Sequence, residues 1–291
     1  MIIPEGDIAL RKLLDERLLE LEECLKSDVM TYFGPIIDGM EGNMLSVIEG
    51  ISKDKKRDKL TVILTTNGGS AHTVERYVNI IRYHYKEVDF IIPDYAYSAG
   101  TIFCMSGDNI FMDYYSVLGP VDPQVQNKEG NWVPALGYLD KVNEMIKKAS
   151  DDNLTQAEFF ILKDIDLAEL RGYEQAKALT MDLLQTWLVQ YKFKNWEKHQ
   201  TDPKKKGQKV TKEEKIKRAA EIADKLSDNN RWKSHGRPIN IQILEKELKL
   251  KIEDYSKESE MRSKIRSYYS MSSDYSQRYK RGAFVHTRKF I

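Results

Sequence analysis

The chain has 291 residues, enough for one large domain or two modest ones and ample for a sizeable core. Its 46 lysines and arginines against 45 aspartates and glutamates leave a net charge near zero, so no global field recruits nucleic acid or an anionic membrane. Two cysteines, Cys24 and Cys104, fit a reducing compartment; with 5 histidines they are too few for a zinc cluster, no P-loop sequence occurs, and neither metal nor cofactor is expected.

The first residues, MIIPEGDIALRK, carry charge too early and too densely for a secretion signal, and no run of eighteen apolar residues follows anywhere. A soluble, cytoplasmic protein without a membrane partner is expected. Residues 7 to 27 set Ile8, Leu10, Leu13, Leu14, Leu18, Leu21 and Leu25 along a broad stripe between charges, which predicts an amphipathic helix with Asp7 as N-cap. The stripe is wider than a coiled-coil seam, so the helix should dock on the core or on another subunit. Val29 to Phe33 reads as a strand, Gly34-Pro35 as a turn, and Met44, Val47, Ile48 and Ile51 as one face of a helix before a charged loop.

Residues 60 to 124 organise the remainder. Leu60 to Thr65 is an apolar, β-branched run bounded by Asn67-Gly68-Gly69, too short for a helix and suited to a strand buried on both faces. Val74, Tyr77, Val78 and Ile81 then give a helix with one apolar face, and Val88 to Ile92 a second strand. Such a βαβ unit is right-handed and opens both strand-to-helix turns on the same edge of the sheet. In the second turn, Tyr97-Ser98-Ala99-Gly100-Thr101, Ser98 stands where the strand hands over to a helix bearing Ile102, Phe103 and Met105. The first N–H groups of a helix lack intrahelical partners, and a serine there either caps them or attacks a substrate. Gly68-Gly69 on the neighbouring turn can bring another N–H close because no side chain intervenes, and two donors beside one hydroxyl make an oxyanion hole. Each turn alone is common as structure; their combination points to catalysis. Cys104, inside the same helix, is expected to be buried.

Four motifs in order, Thr65-Thr66-Asn67-Gly68-Gly69-Ser70, Pro93-Asp94-Tyr95-Ala96-Tyr97-Ser98-Ala99-Gly100-Thr101, Asp108-Asn109-Ile110-Phe111-Met112-Asp113 and Leu118-Gly119-Pro120-Val121-Asp122-Pro123-Gln124, resemble the serine dehydrogenase proteinase family. That family is a branch of the signal peptide peptidase A-like serine peptidases within the Clp protease/crotonase fold. The similarity runs to about residue 255, with Trp232-Lys233-Ser234-His235-Gly236-Arg237-Pro238-Ile239 resembling a late family motif. The resemblance implies an α/β fold, a Clp protease/crotonase-like repeated β-β-α spiral with additional C-terminal helices. It also implies a nucleophile at Ser98 and oxyanion donors from the Gly69 and Ala99 amides, with Gly68 in the same hole. The expected soluble character departs from signal peptide peptidases held in membranes and weighs against a leader-peptide substrate.

A serine hydroxyl needs a base within hydrogen-bond reach. No histidine lies between His84 and His199, so a Clp-like Ser-His-Asp triad in its usual order is not expected. The signal peptide peptidase-like alternative is a Ser-Lys dyad, which requires burial to bring a lysine from a pKa of about 10.4 to about 7.5, roughly 4 kcal/mol against its charged form. Lys128, just after the Gly-Pro-Val-Asp-Pro turn, and Lys141, among Leu136, Leu139 and Val142, are the candidates, although a solvated surface position is the ordinary one for either. His235 is the rival base, needing little tuning, against a plain role as a turn anchor. Asp122 suits either orienting a base or capping the turn, and His72 belongs on the rim.

Leu136 to Ala149 and residues 154 to 198 read as helical, the latter opened by a Thr155-x-x-Glu158 capping box, and would cover the sheet or join subunits. Tyr191-Lys192-Phe193-Lys194-Asn195-Trp196 mixes bases with aromatics, but one such patch in a neutral protein reads as an amphipathic interface, so nucleic acid is not expected. Thr201 to Lys217 reads as an exposed lysine-rich arm before a helix from Ile216 to Leu226, and residues 239 to 252 as a short helix and a strand. The expected divisions are an N-terminal helix (1–28), a peptidase core (29–198), a lysine-rich loop with a small helical region (199–255), and a Ser/Tyr/Arg-rich tail (256–291), mobile or partner-binding. The expected function is that of a serine endopeptidase with a Ser-Lys dyad, Lys141 or Lys128 serving as base, acting on a peptide or protein as a homo-oligomer, with a separate regulatory partner such as an ATPase left open. Two other readings stand beside it. A catalytically silent scaffold is favoured by the missing histidine and the ambiguous lysine; crotonase-like thioester chemistry would use the oxyanion pair without a serine nucleophile.

Overall fold

The computed structural model describes residues 5–54, 56–127, 129–200, 203–279 and 282–290. In chain order they form α1 (Glu5–Leu25), β1 (Asp28–Phe33), α2 (Glu41–Lys53), β2 (Lys59–Thr65), α3 (Ala71–His84), β3 (Glu87–Ile92), β4 (Tyr95–Ala96), α4 (Ala99–Met105), β5 (Asn109–Met112), β6 (Val117–Leu118), β7 (Gln124–Gln126) and β8 (Trp132–Pro134). There follow α5 (Ala135–Ser150), α6 (Gln156–Lys163), α7 (Leu167–Trp187) continued by a π-helical turn Leu188–Lys192, α8 (Lys212–Leu226), α9 (Asn229–Trp232), α10 (Ile241–Lys246), β9 (Glu253–Asp254), α11 (Ser259–Arg278) and β10 (Phe284–His286).

The main sheet has the order β10-β1-β2-β3-β5-β9, parallel from β1 through β9, with β10 antiparallel on the outer side of β1. Successive side chains of a strand point to opposite faces, so a strand covered on both sides reads as a continuous apolar run. Met30 and Tyr32, Leu60, Val62 and Leu64, and Val88, Phe90 and Ile92 turn to one face and join the cores of α2, α3, α4, α7 and α8. Val29, Ile63 and Ile91 turn to the other face, where Leu14, Leu18 and Leu21 of α1 and Ile265, Tyr268 and Tyr275 of α11 cover them. The result is three layers, helix on sheet on helix.

A second row of short pairings runs across the carboxyl ends of these strands. Ile36 bridges Gly69, Thr66 bridges Ala96, β4 pairs with β6, and Leu118 bridges Ile239. Thus β3 and β5 enter the large sheet while β4 and β6, which follow them, enter the second row, the β-β-α spiral expected from the resemblance. The row matters because both candidate catalytic turns hang from it.

Several local expectations are revised. The helical stretch 154–198 is broken at Asp166, whose carboxylate caps α7 by accepting from Ala168 N (2.8 Å) and Glu169 N (3.3 Å). Helix α8 begins at Lys212 because Thr211 and Glu214 form a capping box, four residues earlier than the lysine-rich composition suggested. In its described part the segment 256–291 is packed as α11 and β10: Ile265, Tyr268 and Tyr275 are buried on one helical face, and Phe284 is buried beside them. No helix of the described residues is long and apolar enough to cross a membrane.

Candidate active site

Ser98 caps α4 with φ 52° and ψ −117°, a backbone conformation that costs a non-glycine residue about 1–3 kcal/mol and survives only where the surroundings impose it. The second row imposes it. Thr66 N donates to Tyr95 O (3.1 Å), Tyr97 N to Thr66 O (2.9 Å), and Gly100 N to Tyr97 O (2.8 Å), which pins the turn on both sides. The Thr101 hydroxyl, hydrogen-bonded to Ala96 O at 2.8 Å and Gly119 O at 2.9 Å, ties the first turn of α4 to the row. The hydroxyl of Ser98 forms no cap and lines a cavity of about 490 Å3. A sharp, strained strand-to-helix turn that presents a serine in this way is how a nucleophile is held clear of its own backbone.

The Gly68-Gly69 turn comes against it. Gly68 has φ 97°, and a Cβ there would stand 2.9 Å from Ser98 Cβ and 2.7 Å from Tyr97 O. Gly69 has φ 143°, and a Cβ there would stand 2.0 Å from Ile36 O. Both positions therefore require glycine for close approach. Ile36 N donates to Gly68 O (2.9 Å) and Ser70 N donates to Ile36 O (3.0 Å). Alternate peptide groups of extended backbone face opposite ways, which turns the Gly69 N–H away from Ile36 and toward the cavity that Gly69 lines. The Ala99 N–H, first in α4, has no intrahelical acceptor. Neither N–H finds an acceptor among the described residues.

His235 lines the same cavity although it lies far along the chain. The antiparallel bridge between Leu118 and Ile239, with N···O distances of 3.0 and 2.8 Å, lays its segment beside the Leu118-to-Pro123 turn. Upstream, Asp228 caps α9 and Trp232 Nε1 donates to Lys225 O (2.7 Å). The ring is half-buried, and its Nδ1 is enclosed with no hydrogen-bond partner among the described residues. Asp122 is buried, and its Oδ1 accepts from Leu136 N at 3.1 Å in the first turn of α5. With its amide turned toward the carboxylate, Asn229 donates to Asp122 Oδ2 at 3.2 Å and accepts from Gly137 N at 2.9 Å. Burial raises the Asp122 carboxyl, opposed by the Leu136 N–H and by the charge that His235 can carry.

One lysine candidate, Lys141, lies elsewhere. Lys141 sits on an outer face of α5 with its side chain 59% exposed and paired to Glu144 at 3.0 Å, and it is not among the residues lining the cavity. Lys128 falls outside the described residues. Cys104 is buried in α4, and burial pushes its thiol far above the ordinary range, which removes it as a nucleophile. His72 lies exposed on the cavity wall at the start of α3, as expected for a rim residue. Sequence reasoning passed over Asp38, which also lines the cavity. Its position in the turn after β1 was the available signal, since ligands of α/β sheets bind beyond the carboxyl ends of the strands.

Comparison with known proteins places the chain in a family. Two uncharacterized proteins of Methanocaldococcus jannaschii are similar: one is 33% identical over 116 residues, covering 40% of this chain and 36% of the relative, and the other 38% identical over 82 residues, covering 28% of each. The chain thus spans about a third of the length of these curated relatives. Among solved structures, the 1510-N membrane-bound stomatin-specific protease is similar in a serine-to-alanine mutant, with a TM-score of 0.32 and 19% identity over 52% of this chain and 83% of that one. A lysine-to-alanine mutant of it in complex with a substrate peptide gives a TM-score of 0.32 and 22% identity over 50% of this chain and 70% of that one. Residues 32–208, well over half of the sequence and including both glycine and serine turns, match the family described as ClpP-like SDH-type serine proteinase, and the chain belongs to that family.

Proposed function

We propose that the protein is a serine peptidase in which Ser98 attacks a peptide carbonyl, the Gly69 and Ala99 N–H groups hold the oxyanion, and His235 is the general base. The observation that carries this reading is the strained Ser98 in a cavity beside two backbone donors with no acceptor of their own. As the Ser98 Oγ–C bond forms, the hydroxyl proton passes to the imidazole and the carbonyl oxygen takes the negative charge against the two N–H groups. Collapse breaks the peptide C–N bond, the imidazolium gives its proton to the leaving amine, and water, activated by the same ring, releases the acyl group from Ser98. His235 is preferred to Lys141 because it lines the cavity, whereas Lys141 lacks the burial that would leave its amine neutral. Asp122 would act on His235 through its charge alone, since its oxygens are taken by Leu136 N and Asn229.

The substrate on this reading is a peptide or protein. Self-association has a surface available on α6, where Phe159, Phe160 and Ile161 are each more than half exposed. Intact-mass spectrometry after incubation with a fluorophosphonate tests the chemistry. One adduct is expected on the wild type and on Lys141→Ala, none on Ser98→Ala, and labelling about 100-fold slower on His235→Gln. Labelling of His235→Gln at the wild-type rate would remove the histidine as base, and no adduct on folded wild-type protein would favour the silent scaffold.

A further inference from the structure

The cavity around Ser98 has a charge character of its own. Its walls are largely aliphatic, with Ile36, Ile37, Ile102, Val121, Val125 and Leu179 among them, and among the described residues its lining contains neither lysine nor arginine. Among the same residues the lining has one carboxylate, that of Asp38. This side chain is exposed to the solvent that fills the cavity, yet it is held in place: Thr73 Oγ1 donates to Asp38 Oδ1 at 2.5 Å from the first turn of α3. The Ser70 and Thr73 hydroxyls, with some help from His72, hold its carboxyl below the usual carboxylate range against a small opposing effect of burial. The group is therefore an anion throughout the neutral range. Glu41, the next carboxylate and the first residue of α2, is already committed: it is buried and paired with Arg76 at 3.2 Å.

We infer that Asp38 is a specificity residue that selects a lysine or arginine side chain of the substrate, flanked by aliphatic residues that fill the apolar walls. A fixed anion beside aliphatic walls favours a cation and disfavours a carboxylate at the same subsite, so discrimination arises from attraction and repulsion together. The inference rests on the peptidase reading only for the identity of the ligand as a peptide. It concerns binding, and it can be measured without hydrolysis.

The test uses the full chain carrying Ser98→Ala, so that peptides bind without turnover. Fluorescent peptides with acetylated and amidated ends, of aliphatic sequence, carry one Lys or one Glu scanned through successive positions, and affinities are read by anisotropy. At one position the Lys peptide should bind roughly 3- to 10-fold tighter than its Glu counterpart, a ratio that shrinks as salt is raised. Adding Asp38→Asn, which keeps a hydrogen-bond acceptor for Thr73, should bring the ratio near unity, and Asp38→Lys should invert it. A ratio unchanged by both substitutions, or no charge preference in the parent protein, overturns the inference, as does a failure of every peptide to bind. Charge-selective binding by a protein whose wild type cleaves none of these peptides would instead overturn the peptidase reading and leave Asp38 its role.

Discussion

Two polar clusters lie at the carboxyl edge of the same sheet, one after β3 and one after β5, and they are finished differently. Around Asp113, just past β5, every acceptor position is used. The carboxylate, with no solvent exposure, accepts from Tyr115 N at 2.9 Å, Ser116 N at 3.2 Å, Arg262 Nε at 3.2 Å and Arg266 at 2.6 to 3.1 Å. Although burial pushes this carboxyl up, Arg266 and the surrounding N–H groups hold it below its usual range. Around Ser98 the Gly69 and Ala99 N–H groups and the serine hydroxyl have no partner among the described residues, and the backbone is strained. A saturated buried cluster fastens elements together, here α11 to the sheet; an unsaturated one beside a cavity is prepared for a group that arrives.

Substitutions at each cluster can break this contrast. The largest expected effect is at Gly69: an alanine there must move away from Ile36 O and carry its N–H with it, and loss of one oxyanion donor costs about 100- to 1000-fold in kcat. Peptide hydrolysis by folded Gly69→Ala protein at the wild-type rate would remove this amide from the oxyanion hole. Next, Asp113→Ala should lower the free energy of unfolding by about 3 kcal/mol, because it strands two arginine side chains in a partly buried site. Urea denaturation measures it, and a change below 1 kcal/mol would mean the cluster fastens little. The smallest effect has the opposite sign. Ser98→Gly relieves the positive φ and should raise stability by about 1 kcal/mol, seen as a higher Tm, while abolishing covalent labelling. A destabilised Ser98→Gly would show that the turn is not under strain.

The sequence was most legible where side-chain type and local backbone say the same thing. The β-branched runs of β2 and β3, the glycine pair and the serine turn each follow from near neighbours, and so did the architecture. The candidate site was legible only in its local half. His235 reaches the cavity through the bridge from Leu118 to Ile239, a pairing across 120 residues that leaves no periodicity to read. Lys141 misled because a lysine among Leu136, Leu139 and Val142 looks buried, whereas the helical turn puts those three inside and the lysine outside. The segment 256–291 misled for another reason: its buried face is made of Ile265, Tyr268, Ser272, Tyr275 and Ser276, at helical spacing but of low hydropathy. Burial of Tyr268 is made possible by its hydroxyl, which is hydrogen-bonded to Thr31 Oγ1 at 2.7 Å and to His286 Nδ1 at 2.8 Å.

The course of that last segment bears on how the margins of the main sheet are closed. Strand β9 lies beside β5 at one margin of the main sheet, and β10 lies beside β1 at the other, with α11 crossing the face between them. A single stretch of chain therefore hems both margins, with two residues on one side and three on the other, each too short to template a further strand. Open margins of a parallel sheet invite pairing with any extended chain, including the unfolded polypeptides a peptidase would meet. With both margins hemmed, the main sheet offers an extended chain little free edge to pair with.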